Sequence, residues 1–91
     1  MEKYNGLSEI TENHLHGHLN TCSIQYDKKD AICIHIEYND DVFVYDYDMR
    51  IDKKSHSTEC TNHYCHNHGA QTNLNKNNEF EHAVVDYLFH N

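Results

Sequence analysis

Residues 22–52 alternate apolar and polar side chains with few interruptions. Cys22, Ile24 and Tyr26 alternate with Ser23, Gln25 and Asp27. After Lys28-Lys29-Asp30, Ile32, Ile34, Ile36 and Tyr38 alternate with Cys33, His35 and Glu37. After Asn39-Asp40-Asp41, Phe43, Tyr45, Tyr47, Met49 and Ile51 alternate with Val44, Asp46, Asp48, Arg50 and Asp52. A period of two places each apolar set on one face of an extended strand, so the segment predicts a three-stranded antiparallel meander. A two-residue turn at Asp40-Asp41 predicts Tyr38 opposite Phe43, Ile36 opposite Tyr45 and Ile34 opposite Tyr47. A five-residue first turn predicts Tyr26 opposite Ile32 and Ile24 opposite Ile34. The other face carries His35 beside Asp46 and Cys33 beside Asp48. Cys22 and Cys33 fall on opposite faces, which argues against a disulfide between them.

The flanks read differently. Phe80, Ala83, Val84, Tyr87 and Leu88 form a stripe at helical spacing, predicting a helix over residues 78–90 on the Ile/Tyr face of the meander. Asn78 with Glu81 makes its cap, Glu79 and Glu81 suit its first turn and His90 its last. Residues 13–19, Asn-His-Leu-His-Gly-His-Leu, alternate and predict a short strand. That strand would carry His14, His16 and His18 on one face, roughly 6.5–7 Å apart. Residues 1–12 offer only Leu7 and Ile10 as aliphatic anchors and read as a loose arm. Residues 53–77 are a polar, asparagine-rich connection, longer than an unstructured loop in a compact domain should be. The expected architecture is one small α+β domain over residues 1–91. It has a three- to four-stranded antiparallel sheet, one C-terminal helix on one face, and a long Cys/His loop that needs something to order it.

Composition sharpens that need. The chain has 91 residues and 37% hydrophobic content, too little for a generous core. Its net charge of −8 excludes a protein that holds nucleic acid through its phosphates and points instead to basic protein surfaces. Ten histidines would more than offset that charge on full protonation, so charge-driven binding should weaken in mild acid. Residues 1–10 show neither the basic opening nor the apolar core of a signal peptide, and no run reaches membrane-spanning length. A reducing, cytoplasmic setting is therefore expected, a host cytoplasm if the chain is phage-encoded. There the four cysteines would more often bind metal than pair.

The candidate chemistry sits in Cys60-Thr61-Asn62-His63-Tyr64-Cys65-His66-Asn67-His68. Zinc takes four thiolate or imidazole ligands in a tetrahedron, and two ligands on a short turn make half of such a site. Cys60, His63, Cys65 and His68 form one candidate set. Cys60 and Cys65 with two of the N-terminal histidines, His16 and His18 among them, form another and would tie the two ends of the chain together. The spacing matches no finger signature, and a Cys60–Cys65 disulfide or a loop with free thiols competes with zinc. The class these features imply is a small acidic binding or inhibitor protein with a structural zinc site. It would dock through Glu37, Asp46, Asp48 and Asp52 on a basic protein surface, such as that of a nucleic-acid-processing complex, in the manner of phage or mobile-element anti-defence proteins. The alternative is a small zinc-dependent hydrolase using the histidine row, although no nucleophile motif, phosphate-cradling loop or His-Glu-x-x-His accompanies it. An exposed first strand can also pair with a second copy.

Overall fold

A computed structural model describes residues 5–66 and 72–89. Helix α1 (Asn5–Leu15) is followed by strands β1 (His18–Asp27), β2 (Ala31–Asn39), β3 (Val44–Asp52), β4 (Thr58–Cys65) and the two-residue β5 (Thr72–Asn73), then by helix α2 (Asn78–Phe89). The strands form one antiparallel sheet in the order β1-β2-β3-β4-β5. The α+β class, the meander and the C-terminal helix stand as expected. No helix among the described residues is long and apolar enough to cross a membrane.

Ile32, Ile34, Ile36 and Tyr38 of β2 meet Tyr47, Met49 and Ile51 of β3 on one face. Both helices cover that face, adding Leu7 from α1 and Phe80, Val84 and Val85 from α2. Their near-complete burial removes apolar surface from water at about 25 cal/mol per Å², and this is what drives the layers together. The α1–α2 contact is close. A Cβ on Gly6 would collide with the Tyr87 ring, and the Gly6 amide donates to the Tyr87 hydroxyl at 3.2 Å.

Four details differ from the expected layout. First, the β2–β3 register is shifted by two: Tyr38 faces Tyr45, Ile36 faces Tyr47 and Ile34 faces Met49. The cause is Asp40, whose carboxylate accepts the amides of Val42 (2.8 Å) and Phe43 (2.7 Å) and the Tyr45 hydroxyl (2.8 Å). These bonds close a wider turn and hold the Asp40 carboxyl below the usual carboxylate range. An even-numbered shift keeps every side chain on its face, so the amphipathic pattern survives. In the first hairpin Ile24 faces Ile34 as expected, while a bulge after it sets Tyr26 against Cys33.

Second, residues 5–15 are a helix, not a loose arm or the start of a strand. Leu7 and Thr11 are fully buried, with Ile10 and Leu15 packed beside them. Thr11 is tolerated there because its hydroxyl donates to the Leu7 carbonyl at 2.7 Å, one turn back. The helix ends at His16, in left-handed backbone at φ 59°, a common way for helices to stop. Only His18 and Leu19 of the expected histidine strand are extended, as the first residues of β1.

Third, residues 53–77 are not a loop throughout, because Thr58–Cys65 form β4. Fourth, the cap of α2 is Asn77 and not Asn78: its side-chain oxygen accepts the Phe80 amide at 2.9 Å. Glu81 points into the core, fully buried, rather than back to the cap.

Candidate functional site

The two faces of the sheet have different fates. The apolar face is roofed by α1 and α2, whereas the face bearing His35, Glu37, Asp46, Asp48, Arg50, Asn62 and Tyr64 lies opposite the helices. Strand pairing sets His35 across from Asp48, Glu37 across from Asp46, and Asp46 across from Tyr64.

On this open face the side chains are tied to one another. The His35 ring bonds to Asp48 through Nδ1 and turns Nε2 to within 3.6 Å of Asp46 Oδ1. His66, just beyond β4, donates from Nε2 to Asp46 Oδ2 at 2.8 Å. Asn62 donates to Asp48 Oδ2 at 3.3 Å. The Tyr64 hydroxyl, bonded to Asp46, is pushed above the ordinary phenol range by that bond and by burial. Asp46 is only 8% exposed in consequence. Among the expected docking residues, Asp46 and Asp48 are therefore held by imidazole partners, and Glu37 is half-exposed, receiving an amide hydrogen bond from Asn20 at 3.4 Å. Asp52 lies elsewhere. It caps the β3–β4 turn by accepting the Ser55 and Lys54 amides at 2.9 Å each, which keep its carboxyl below the usual range. Ser23, His35 and Asp48 stand in a row across three strands. Both nitrogens of the His35 ring face β3 carboxylates, however, so the ring is turned away from Ser23 and assembles no nucleophilic triad with it.

The expected metal ligands are dispersed. Cys60, His63 and Cys65 share the core-facing side of β4, opposite Met49, Tyr47 and Tyr45. Four residue steps of strand lead from Tyr45 to Met49, so Cys60 and Cys65 stand roughly 13 Å apart along the sheet. Zinc holds each sulfur at about 2.3 Å, so one ion could reach both thiols only if β4 unpaired. The same distance rules out a disulfide within the strand, and none of the four cysteines is in a disulfide. His16 and His18 lie by β1, with β2 and β3 between them and β4; His18 sits 3.6 Å from Glu12. His68 falls outside the described residues. Among the described residues no three His, Cys, Asp or Glu groups stand close enough to hold an ion.

His63 has a different occupation. Its Nδ1 lies 2.9 Å from the Asn75 carbonyl oxygen, which can only accept, so Nδ1 carries the proton. Nε2 is then the acceptor for the Tyr38 hydroxyl, 2.6 Å away. The ring also leans on Tyr47 at a centroid distance of 4.4 Å. Burial pushes the His63 imidazole below its ordinary range, against the opposing pull of the Asn75 carbonyl and the Glu81 carboxylate. Beside it an open cleft of about 340 Å³ lies between Cys60, Asn62 and His63 on β4 and the passing Leu74, Asn75 and Lys76. Burial raises the Cys60 thiol as well, which leaves it a poor nucleophile at neutral pH.

A buried polar knot lies one layer deeper. Glu81 accepts from the Tyr47 hydroxyl, from Thr58 Oγ1 at 2.6 Å and from Lys76 Nζ, and the Asn77 amide donates to the Tyr47 oxygen at 2.9 Å. With His63 on Asn75, and the Leu74 amide on the His63 carbonyl at 2.6 Å, these bonds fasten residues 74–77 to the sheet.

No protein-family model matches the chain, and neither a curated protein nor a solved structure shows significant similarity to it.

Proposed function

We propose that this chain is a small acidic binding protein whose open sheet face docks on a basic protein surface. The observation that carries the reading is the arrangement of the sheet. Both helices pack on one face and leave the other to a linked set of carboxylates, imidazoles and a tyrosine, in a chain of net charge −8. The mutual bonds among His35, Asp46, Asp48, Asn62 and His66 fix these side chains before any partner arrives. Less rotamer freedom is then lost on association. Charge complementarity of this kind governs encounter rate and partner choice more than raw affinity. The partner class it fits best is a groove built for nucleic-acid phosphates, which an acidic face can occupy. Inhibitors carried by phages or mobile elements are one class that works this way.

The test is a titration of the isotope-labelled protein with an arginine- and lysine-rich peptide, followed residue by residue by NMR. Amide shifts should concentrate on Glu37, Asp46, Asp48, Tyr64 and His66, shrink as salt is raised, and weaken as the pH falls through the ordinary imidazole range near 6.5. Replacing Glu37, the half-exposed carboxylate of that face, by lysine should reduce the affinity several-fold with little change in the melting temperature. Shifts confined to the helices, or none, would end the proposal.

A further inference from the structure

We propose that two copies of this chain pair edge to edge through β1, antiparallel, with Cys22 of each copy facing Cys22 of the other across a two-fold axis. The sheet has one long uncovered edge. β5 and the Leu74 amide lie along β4, whereas among the described residues no strand pairs with the outer side of β1, which is ten residues long. Its outward amides and carbonyls are open to a further strand. Natural edges are commonly blunted by lysine or proline. Residues 18–26, His-Leu-Asn-Thr-Cys-Ser-Ile-Gln-Tyr, hold neither, nor any Asp, Glu or Arg, in a chain of net charge −8. Two copies that repel one another elsewhere can approach here.

The occupant and its register follow from the strand's own pattern. β1 carries two irregular steps, between Leu19 and Thr21 and between Ile24 and Tyr26. The first places Leu19, Cys22 and Ile24 opposite Tyr38, Ile36 and Ile34, so three half-buried apolar residues stand two ladder positions apart at the rim of the core. An evenly spaced row of three is self-complementary when reversed about its middle member. With Cys22 on a two-fold axis perpendicular to the sheet, Leu19 of each copy meets Ile24 of the other. Both helix layers then lie on the same side, and the two half-buried rows bury each other. An axis through Ser23 would instead set Leu19 against Asp27. On the open face Thr21 meets Ser23 and His18 meets Tyr26, so no like charges oppose. The ends of the strand agree with this direction. Lys28 Nζ lies 5.1 Å from the centre of the Tyr26 ring, and Glu12 lies 3.6 Å from His18. Each Lys28 therefore comes beside Glu12 of the other copy, twice by symmetry, and this complementarity favours the antiparallel partner. The pairing leaves the acidic face of each copy uncovered.

Sedimentation equilibrium of the whole chain under reducing conditions should show a reversible, concentration-dependent dimer. Replacing Thr21 and Ser23, both exposed, together by lysine sets like charges across the seam and should leave a monomer with an unchanged circular-dichroism spectrum. Cross-linking of the wild type reads the register. Facing residues of antiparallel strands have Cα atoms about 4.5–5.5 Å apart, within the span of a disulfide. Cys22 is the one cysteine of the tryptic peptide 4–28, so a disulfide between two copies of that peptide can only join two chains at Cys22. Brief copper–phenanthroline oxidation followed by mass spectrometry should give it as the main cross-link. A monomer at every concentration up to about 1 mM, a dimer that survives the double lysine substitution, or a cross-linked dimer joined elsewhere would overturn the proposal. Should the double variant fail to fold, the wild-type association and its cross-link decide the matter by themselves.

Discussion

Replacing Lys76 by methionine is expected to destabilise the fold by about 3 kcal/mol, the low end of what is lost when one partner of a buried ion pair is removed. Glu81 is fully buried, and Lys76 is its cationic partner among the described residues, reaching in from a position 37% exposed. Without that amine the Glu81 carboxylate keeps only the hydroxyls of Tyr47 and Thr58. The low end of the range applies because those two bonds persist. In a domain of this size the loss should lower the melting temperature by roughly 15 °C. The double variant Lys76→Met with Glu81→Gln should recover part of the loss, since no buried charge then remains. Urea unfolding of the three proteins decides it: a Lys76→Met variant within about 0.5 kcal/mol of wild type would show that the pair does not hold α2 to the sheet.

The second large effect is at the other end of the chain. Leu7→Ala should cost about 2–5 kcal/mol, the range for emptying a buried leucine site. Leu7 is fully buried within the same core as Ile34, Tyr47 and Phe80. If residues 5–15 were instead a loose arm, the substitution would be close to neutral, so the same unfolding measurement separates the two descriptions. A circular-dichroism spectrum of the variant shows whether α1 has melted alone or the whole domain has been weakened.

The meander was legible in the sequence because its strands obey a period of two on one apolar face, a pattern that survives a shift of register by two. The shift itself was not legible, since it depends on one carboxylate, Asp40, gathering two amides and a tyrosine hydroxyl. Helix α1 was hidden by chemistry rather than by spacing. Leu7, Ile10, Thr11 and Leu15 follow a helical period, but Thr11 counts as polar until its bond to the Leu7 carbonyl is seen. Strand β4 was hidden by a bulge. An irregular step between Cys60 and Asn62 puts Cys60 and His63 on the same face although three positions separate them, which breaks the alternation.

The candidate site divides along the same line. That His35 lies among the β3 carboxylates follows from strand parity alone. His66 joining Asp46 does not, because it depends on where β4 ends. The cluster from Cys60 to His68 looked like a ligand set because its residue types suit zinc. Its described members are set by an extended strand, where Cys60 and Cys65 share a face but stand far apart along it, and His63 serves as a hydrogen-bond bridge between Tyr38 and Asn75.

The chain's own polar contacts hold residues 74–77. The thermal melt of untagged protein before and after chelation, alongside its elemental metal content, tests whether they suffice. The melting temperature should be unchanged by the chelator, with Lys76→Met lowering it in both conditions. One zinc per chain together with a large chelator-induced loss would contradict it, and would mean that β4 gives up its pairing to bring Cys60 and Cys65 to a shared ion.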